Sequence, residues 1–305
     1  MQGRQPLHVN STLLASEANR GITDDNPSDE EVCAVINHNS PGQSSDRLAG
    51  KVAFITGAGS GIGEATARAC ARQGAAVAVV DVRGEAAERV AGDISAAGGR
   101  AVALVADVRQ ETAVKAAVDA TVHAFGNLTT VFANAGINGM QCPIEEMTIE
   151  EWHATMDTNL TGTFLTVKHS IPHLRAAGGG SIIITASVNG TKTFSLPGYS
   201  CYSTSKGGQA IFGRMAAGEL GRWDIRVNTI CPGAIRTNIG ERTYRRNLDA
   251  VRWDIKMPDR NPPHLGRSAD PSEVADLVTF LASDESIYIT GAEILIDAGA
   301  TILRG

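Results

Sequence analysis

Val52-Ala53-Phe54-Ile55-Thr56-Gly57-Ala58-Gly59-Ser60-Gly61-Ile62-Gly63-Glu64-Ala65-Thr66-Ala67 is the stretch that decides the fold. Its apolar opening reads as a strand buried on both faces, and Glu64 to Ala67 favour helix. Glycines between them permit a tight turn, close backbone approach to a ligand and close packing of helix on strand. The free N–H groups and positive dipole end of such a helix suit a pyrophosphate, with Gly57, Ser60, Gly61, Ile62 and Gly63 as the contacting segment. A merely structural glycine turn is the competing reading. The strand before and the helix after favour the phosphate cradle.

Outward from this turn, apolar runs at Val52–Ile55, Ala76–Val80, Ala101–Val105, Leu128–Phe132, Ser181–Thr185, Arg226–Ile230 and Glu293–Ile296 alternate with amphipathic stretches such as Glu111–Phe125 and Pro271–Leu281. The alternation predicts an α/β fold, a doubly wound parallel sheet of about seven strands with helices on both faces, in a single domain. Pro271, Ser272 and Glu273 mark a helix start. Asp81 ends the second run, where a carboxylate can accept hydrogen bonds from adenosine ribose hydroxyls and repels a 2′-phosphate. NAD is therefore favoured over NADP. Arg83 is the neighbour able to receive that phosphate, and an ordinary solvated aspartate is the bland alternative.

The chain has 305 residues, 43% of them hydrophobic, enough for a large core. Its formal charge of −6 is uneven, because residues 1–46 carry Arg4 and Arg20 against seven acidic residues. The nearly neutral remainder has no basic stripe, which argues against nucleic acid as a partner. Residues 1–46 read as a flexible acidic tail, with a docking arm as the alternative, and 47–305 as the folded domain. The five cysteines (Cys33, Cys70, Cys142, Cys201 and Cys231) show no metal-ligand spacing, so no metal is expected and reduced thiols in a cytoplasmic protein fit best. No apolar run reaches the roughly 20 residues of a membrane span, and the N-terminus has no signal-peptide order.

Tyr202-Ser203-Thr204-Ser205-Lys206 opens a predicted helix running through Gly207–Leu220, and i,i+4 spacing puts Tyr202 and Lys206 on one face. A phenol with a pKa of about 10 is a poor proton carrier near neutrality. An adjacent ammonium should lower that pKa toward the useful range. Tyr199 is no substitute, since the residue four places on is Ser203.

The glycine turn, the Tyr202/Lys206 pair and their order resemble the short-chain dehydrogenase/reductase family from Leu48 to Ile302. Further matching stretches are Asp107-Val108, Asn134-Ala135-Gly136, Asn159, Ser187, Pro232 to Thr237, and Ile289 to Gly299. The resemblance implies a Rossmann-type fold and a hydride transfer between a nicotinamide cofactor and a secondary alcohol or ketone. Asp107 and Val108 would contact the adenine, and Asn134, Ala135 and Gly136 would line the cofactor floor. Ser187 would hydrogen-bond the substrate oxygen, Tyr202 would exchange its proton, and Lys206 would bind nicotinamide-ribose hydroxyls. Asn159 would hold a water on the proton path. Pro232, Gly233, Ile235 and Thr237 would follow the sixth strand, with Ile235 and Thr237 fixing the carboxamide. The segment between Ser187 and Tyr202 is longer than the family spacing, which bears on Ser187.

By the same resemblance, Asn238–Arg267 is a substrate lid, here carrying seven basic residues against four acidic ones. A basic lid would favour a polar or anionic substrate; a solvated charged face is the alternative. Two rival functions stand beside the alcohol dehydrogenase: an NADP-preferring reductase of 3-oxoacyl thioesters, and a non-catalytic dinucleotide sensor. A homo-oligomer, dimer or tetramer, is expected through helices corresponding to Thr148–Arg175 and Tyr202–Leu220.

Overall fold

The first apolar run forms β1 (Val52–Thr56) near the middle of a parallel sheet in the computed structural model, which describes residues 46–193, 197–251 and 266–302. In chain order there follow α1 (Gly61–Arg72), β2 (Ala76–Asp81), α2 (Gly84–Ala96), β3 (Arg100–Val105), α3 (Glu111–Phe125), β4 (Thr130–Ala133), β5 (Gly139–Gln141), α4 (Ile149–Met156) and α5 (Gly162–Ala176). The second half supplies β6 (Gly180–Thr185), α6 (Val188–Thr191), α7 (Ser200–Leu220), β7 (Ile225–Pro232), β8 (Thr243–Arg245), α8 (Pro271–Ala282) and β9 (Glu293–Ile296).

Seven strands pair in the order β3-β2-β1-β4-β6-β7-β9, every pairing parallel. The chain winds outward from β1 to β3, returns across β1 and winds outward the other way from β4. The carboxyl ends of β1 and β4 thus flank the switch point where open α/β sheets bind ligands. This is the doubly wound fold expected from the apolar runs, and its described residues form one compact unit.

Alternation along each strand feeds two cores. Ala53 and Ile55 pack with Ala67, Val90, Val274 and Val278 from α1, α2 and α8. Phe54 and Val80 face the other way, against Val118, Val167, Leu174 and Leu220 from α3, α5 and α7. Each fully buried Leu, Ile or Phe contributes roughly 1.5–3 kcal/mol relative to exposure. The start of α8 follows its sequence signal: Asp270 and Glu273 form a capping box with Pro271 in the first turn.

Three features depart from the expected elements. β4 begins at Thr130 and not at Leu128, which is fully buried just ahead of the strand. A second sheet of only β5 and β8 pairs Gly139–Gln141 with Thr243–Arg245. The helix foreseen over Thr148–Arg175 is two helices joined by a π turn, Asp157–Thr161, which carries Asn159. The tail read over 1–46 lies, Asp46 apart, outside the described residues, as do lid residues 252–265. Among the described residues no helix is long and apolar enough to cross a membrane.

Candidate active site

At the carboxyl end of β1 the chain turns through Gly57 at φ +65°, a left-handed conformation, and a Cβ there would lie 2.9 Å from the Ala135 Cα. Ser60 occupies the N-cap of α1 without capping it; its hydroxyl accepts from Arg83 Nη2 at 3.0 Å. The first-turn amides of α1 therefore have no side-chain cap, beside a cleft of about 490 Å³ lined by Gly57, Ser60, Gly61 and Ile62. Gly63 does not line the cleft. It is a packing position, where a Cβ would run into the Gly57 carbonyl.

Asp81 closes this end of the cleft. Its buried carboxylate accepts from the Gly59 N–H and the Arg83 N–H, both at 3.0 Å, so it fixes the glycine turn as well as lining the cleft. Arg83 is drawn to Asp81 Oδ1 at 3.5 Å and to Ser60. Asp107 and Val108 also line the cleft, with Asp107 in a bidentate pair with Arg109, Nε to Oδ1 and Nη2 to Oδ2, that holds its carboxyl below the usual range. The hydroxyl of Thr56 accepts from the Asn134 and Ala135 N–H groups, and Thr185 Oγ1 donates to Asn134 Oδ1. Asn134, Ala135 and Gly136 are thereby pinned across the ends of β1, β4 and β6, where they line the floor.

Tyr202, Ser187 and Lys206 meet on the far side of that floor. Ser187 caps α6, which lies so close to α7 that a Cβ on Gly190 would be 2.7 Å from the Lys206 carbonyl carbon. This packing returns Ser187 to Tyr202 despite the long connection, and the two side chains are hydrogen-bonded. Lys206 Nζ donates to the Thr185 carbonyl at 2.8 Å and lies 5.7 Å from the centroid of the Tyr202 ring. Burial dominates both groups: it pushes the phenol up to about 12, against the Ser187 hydrogen bond, and pulls Lys206 down to about 7. The lowering of the Tyr202 pKa expected from Lys206 is absent, because the lysine is turned to β6 and is itself desolvated.

Asn159 is fully buried and does not line the cleft. Its Nδ2 donates to the Ile137 carbonyl and to Ser205 Oγ, both at 2.9 Å, and its Oδ1 accepts from the Ile137 N–H at 2.8 Å. Ser205 in turn donates to the Tyr202 carbonyl. The π turn thus ties the loop after β4 to the helix that carries Tyr202. Pro232, Gly233, Ile235 and Thr237 line the opposite wall, and a Cβ on Gly61 would lie 3.2 Å from Thr237 Cγ2, so the start of the lid sits directly over the glycine turn.

Several lining residues had no sequence signal of their own. Tyr199, which has no lysine four places on, contacts the Tyr202 ring edge-on at 5.7 Å between centroids. Asn138 and Ile137 follow from the Asn134-Ala135-Gly136 stretch only once the loop is folded. Of the lid cations among the described residues, Arg242 lines the cleft, whereas Arg246 and Arg267 are paired with Glu151 and Glu273. Arg252, Lys256 and Arg260, together with Trp253 and Met257, lie outside the described residues.

Residues 57–301 match the family model described as enoyl-(acyl carrier protein) reductase. The chain is 38% identical over 257 residues to a cyclohexanol dehydrogenase of Acinetobacter sp. (strain SE19), covering 84% of this chain and 97% of that one. Among solved structures it is similar to a 3-ketoacyl-ACP reductase from Sinorhizobium meliloti 1021, with 42% identity, a TM-score of 0.79 and coverage of 83% and 100%. A 7α-hydroxysteroid dehydrogenase complexed with NADH and 7-oxo glycochenodeoxycholic acid matches at 29% identity and TM-score 0.73, over 84% of this chain and 96% of that one. Similarity that runs from the glycine turn past the last strand, over a sheet wound in the same way, places the chain in the short-chain dehydrogenase/reductase family of oxidoreductases.

Proposed function

We propose that this protein is an NAD-linked dehydrogenase that oxidises a secondary hydroxyl on a cyclic substrate and, in reverse, reduces the ketone. The observation that carries the reading is the meeting of Tyr202, Ser187 and Lys206 at one end of a cleft whose other end is the uncapped glycine turn. The residues fit a dinucleotide: a Cβ on Gly57 would abut Ala135, the α1 amides have no side-chain cap, and Asp81 presents a buried carboxylate where a ribose would lie. When bound, the nicotinamide supplies the hydride acceptor or donor.

The chain's own residues do the rest. Gly57, Ser60, Gly61 and Ile62 would hold the pyrophosphate, with Gly63 keeping α1 close. Asp81 would take the adenosine ribose, Asp107 and Val108 the adenine, and Asn134, Ala135 and Gly136 the floor. Pro232, Gly233, Ile235 and Thr237 would present one nicotinamide face, and Lys206 its ribose. Ser187 orients the substrate oxygen. Tyr202 Oη gives it a proton during reduction or removes one during oxidation. Asn159 serves as a positioning residue in this scheme.

The cyclohexanol dehydrogenase relative and the hydroxysteroid dehydrogenase neighbour support a cyclic alcohol. The 3-ketoacyl-ACP reductase neighbour favours a second reading, reduction of a 3-oxoacyl thioester, against which Asp81 weighs through its expected rejection of NADP. The deciding experiment follows reduced-cofactor absorbance with cyclohexanol, a hydroxysteroid and a 3-oxoacyl thioester, each with both cofactors. Turnover of the thioester with NADPH alone would overturn the first reading.

The buried free thiols of Cys70, Cys142, Cys201 and Cys231 support a reducing, cytoplasmic setting. Exposed Phe164 on α5 and Ile211 and Met215 on α7 support a symmetric homo-oligomer through these helices. A monomer in light scattering would refute that.

A further inference from the structure

We infer that Arg246 is a positioning residue that fixes the substrate wall of the cleft by clamping the lid to α4. The inference rests on the reading of the cleft as an alcohol dehydrogenase site. Arg246 follows β8 directly and does not line the cleft. Its Nη1 and Nη2 grip Glu151 bidentately, at 2.7 Å to Oε1 and 2.9 Å to Oε2. Nη2 also donates to the Glu146 carbonyl and approaches Cys142 Sγ at 3.7 Å. The Arg246 N–H donates to the Gln141 carbonyl at 3.0 Å, and Asn247 Nδ2 to Glu146 Oε2 at 2.8 Å. One guanidinium thus joins the lid, the loop after β5 and the first turn of α4.

The cleft wall hangs from this joint. β8 pairs with β5 through Thr243, whose hydroxyl accepts from Asn138 Nδ2 at 2.9 Å and donates to the Ile239 carbonyl at 3.0 Å. Asn138, Ile239 and Arg242 all line the cleft. On the other side of β5, a Cβ on Gly198 would lie 2.8 Å from the Cys142 N and 2.6 Å from Leu248 Cδ2. Tyr199, the next residue, lines the cleft against Tyr202. Displacing β8 from α4 would therefore move Tyr199, Asn138 and Arg242, while Asp81 keeps its bonds to the Gly59 and Arg83 N–H groups. The planar fork matters here, since a lysine offers the charge without the bidentate geometry.

The test compares wild type with Arg246→Lys, Arg246→Gln, Glu151→Gln and the double variant. Glu151→Gln keeps one side-chain oxygen to accept from the Thr148 N–H in the capping box of α4, and removes both the charge and one of the two oxygens that Arg246 grips. KM for the alcohol should rise roughly ten- to a hundredfold in Arg246→Gln and partly recover in Arg246→Lys, with the dissociation constant for NAD changed far less. The double variant should be no worse than the more impaired single one. Trypsin should cut faster after the exposed Arg242 and Arg245 in Arg246→Gln than in wild type. An unchanged alcohol KM in folded variants, an equal loss of NAD affinity, or additive effects would overturn the clamp. If wild type turns over no alcohol, the functional reading fails, and the trypsin comparison alone decides whether Arg246 holds the lid.

Discussion

Lys206 Nζ is bound to the Thr185 carbonyl at 2.8 Å while lying 5.7 Å from the centroid of the Tyr202 ring. β6 therefore anchors the lysine, and burial leaves the phenol at about 12. In the proposed function, ketone reduction would use the protonated phenol, the form that prevails below that value, and alcohol oxidation would need the phenolate. The rate of oxidation should climb with pH from neutrality toward 10, while reduction stays level and declines only at the alkaline end, as measured by kcat/KM profiles in both directions. Tyr202→Phe should lower both rates by about 10²–10⁴ and leave NAD binding intact.

Lys206 carries a stability cost with a definite sign. Its pKa falls from an ordinary 10.5 to about 7 in the fold, so between those values the unfolded chain binds the extra proton. Stability gained from this group on raising pH is absent below 7 and complete above 10.5. Lys206→Met should thus be inactive, and its melting temperature relative to wild type should be highest near pH 7 and converge on wild type as pH approaches 10. A constant difference across that range would count against a desolvated lysine.

Asp81 both faces the cleft and accepts from the Gly59 and Arg83 N–H groups. Asp81→Ala should weaken NAD binding by about tenfold or more and narrow the preference over NADP, because two charge-assisted hydrogen bonds and the ribose acceptor go together. Calorimetric titration with each cofactor checks this.

Asn159→Ala would take from the half-buried Ile137 N–H and carbonyl their side-chain partner, at up to about 1–3 kcal/mol in all since the cleft admits water to them. Thermal unfolding should show the loss, and kcat should fall with it, since Ser205 loses the partner that ties it to the π turn.

The sheet was readable in the sequence because strands buried on both faces are continuous apolar runs, and all seven runs became strands. β5 and β8 were not, since each is three residues long and finds its partner about a hundred positions away. The basic lid illustrates a second limit. Charge along the chain does not reveal which arginines meet acids in space, and Arg246 and Arg267 prove to be paired with Glu151 and Glu273. Asn159 was found by its motif, yet its burial and its three hydrogen bonds depend on a π turn that no local periodicity announces.

The contact of Gly190 with the start of α7 has a consequence for how this scaffold can diversify. A Cβ at Gly190 would press on the Gly207 nitrogen and on the carbonyl carbon and Cβ of Lys206, so the segment bearing Ser187 is registered to the helix bearing Tyr202 by a close approach that only glycine permits. A larger residue at Gly190 would push the two segments apart. New substrates must be accommodated at the rim, through Asn138, Tyr199 and the lid, while the acid/base centre stays dimensionally fixed.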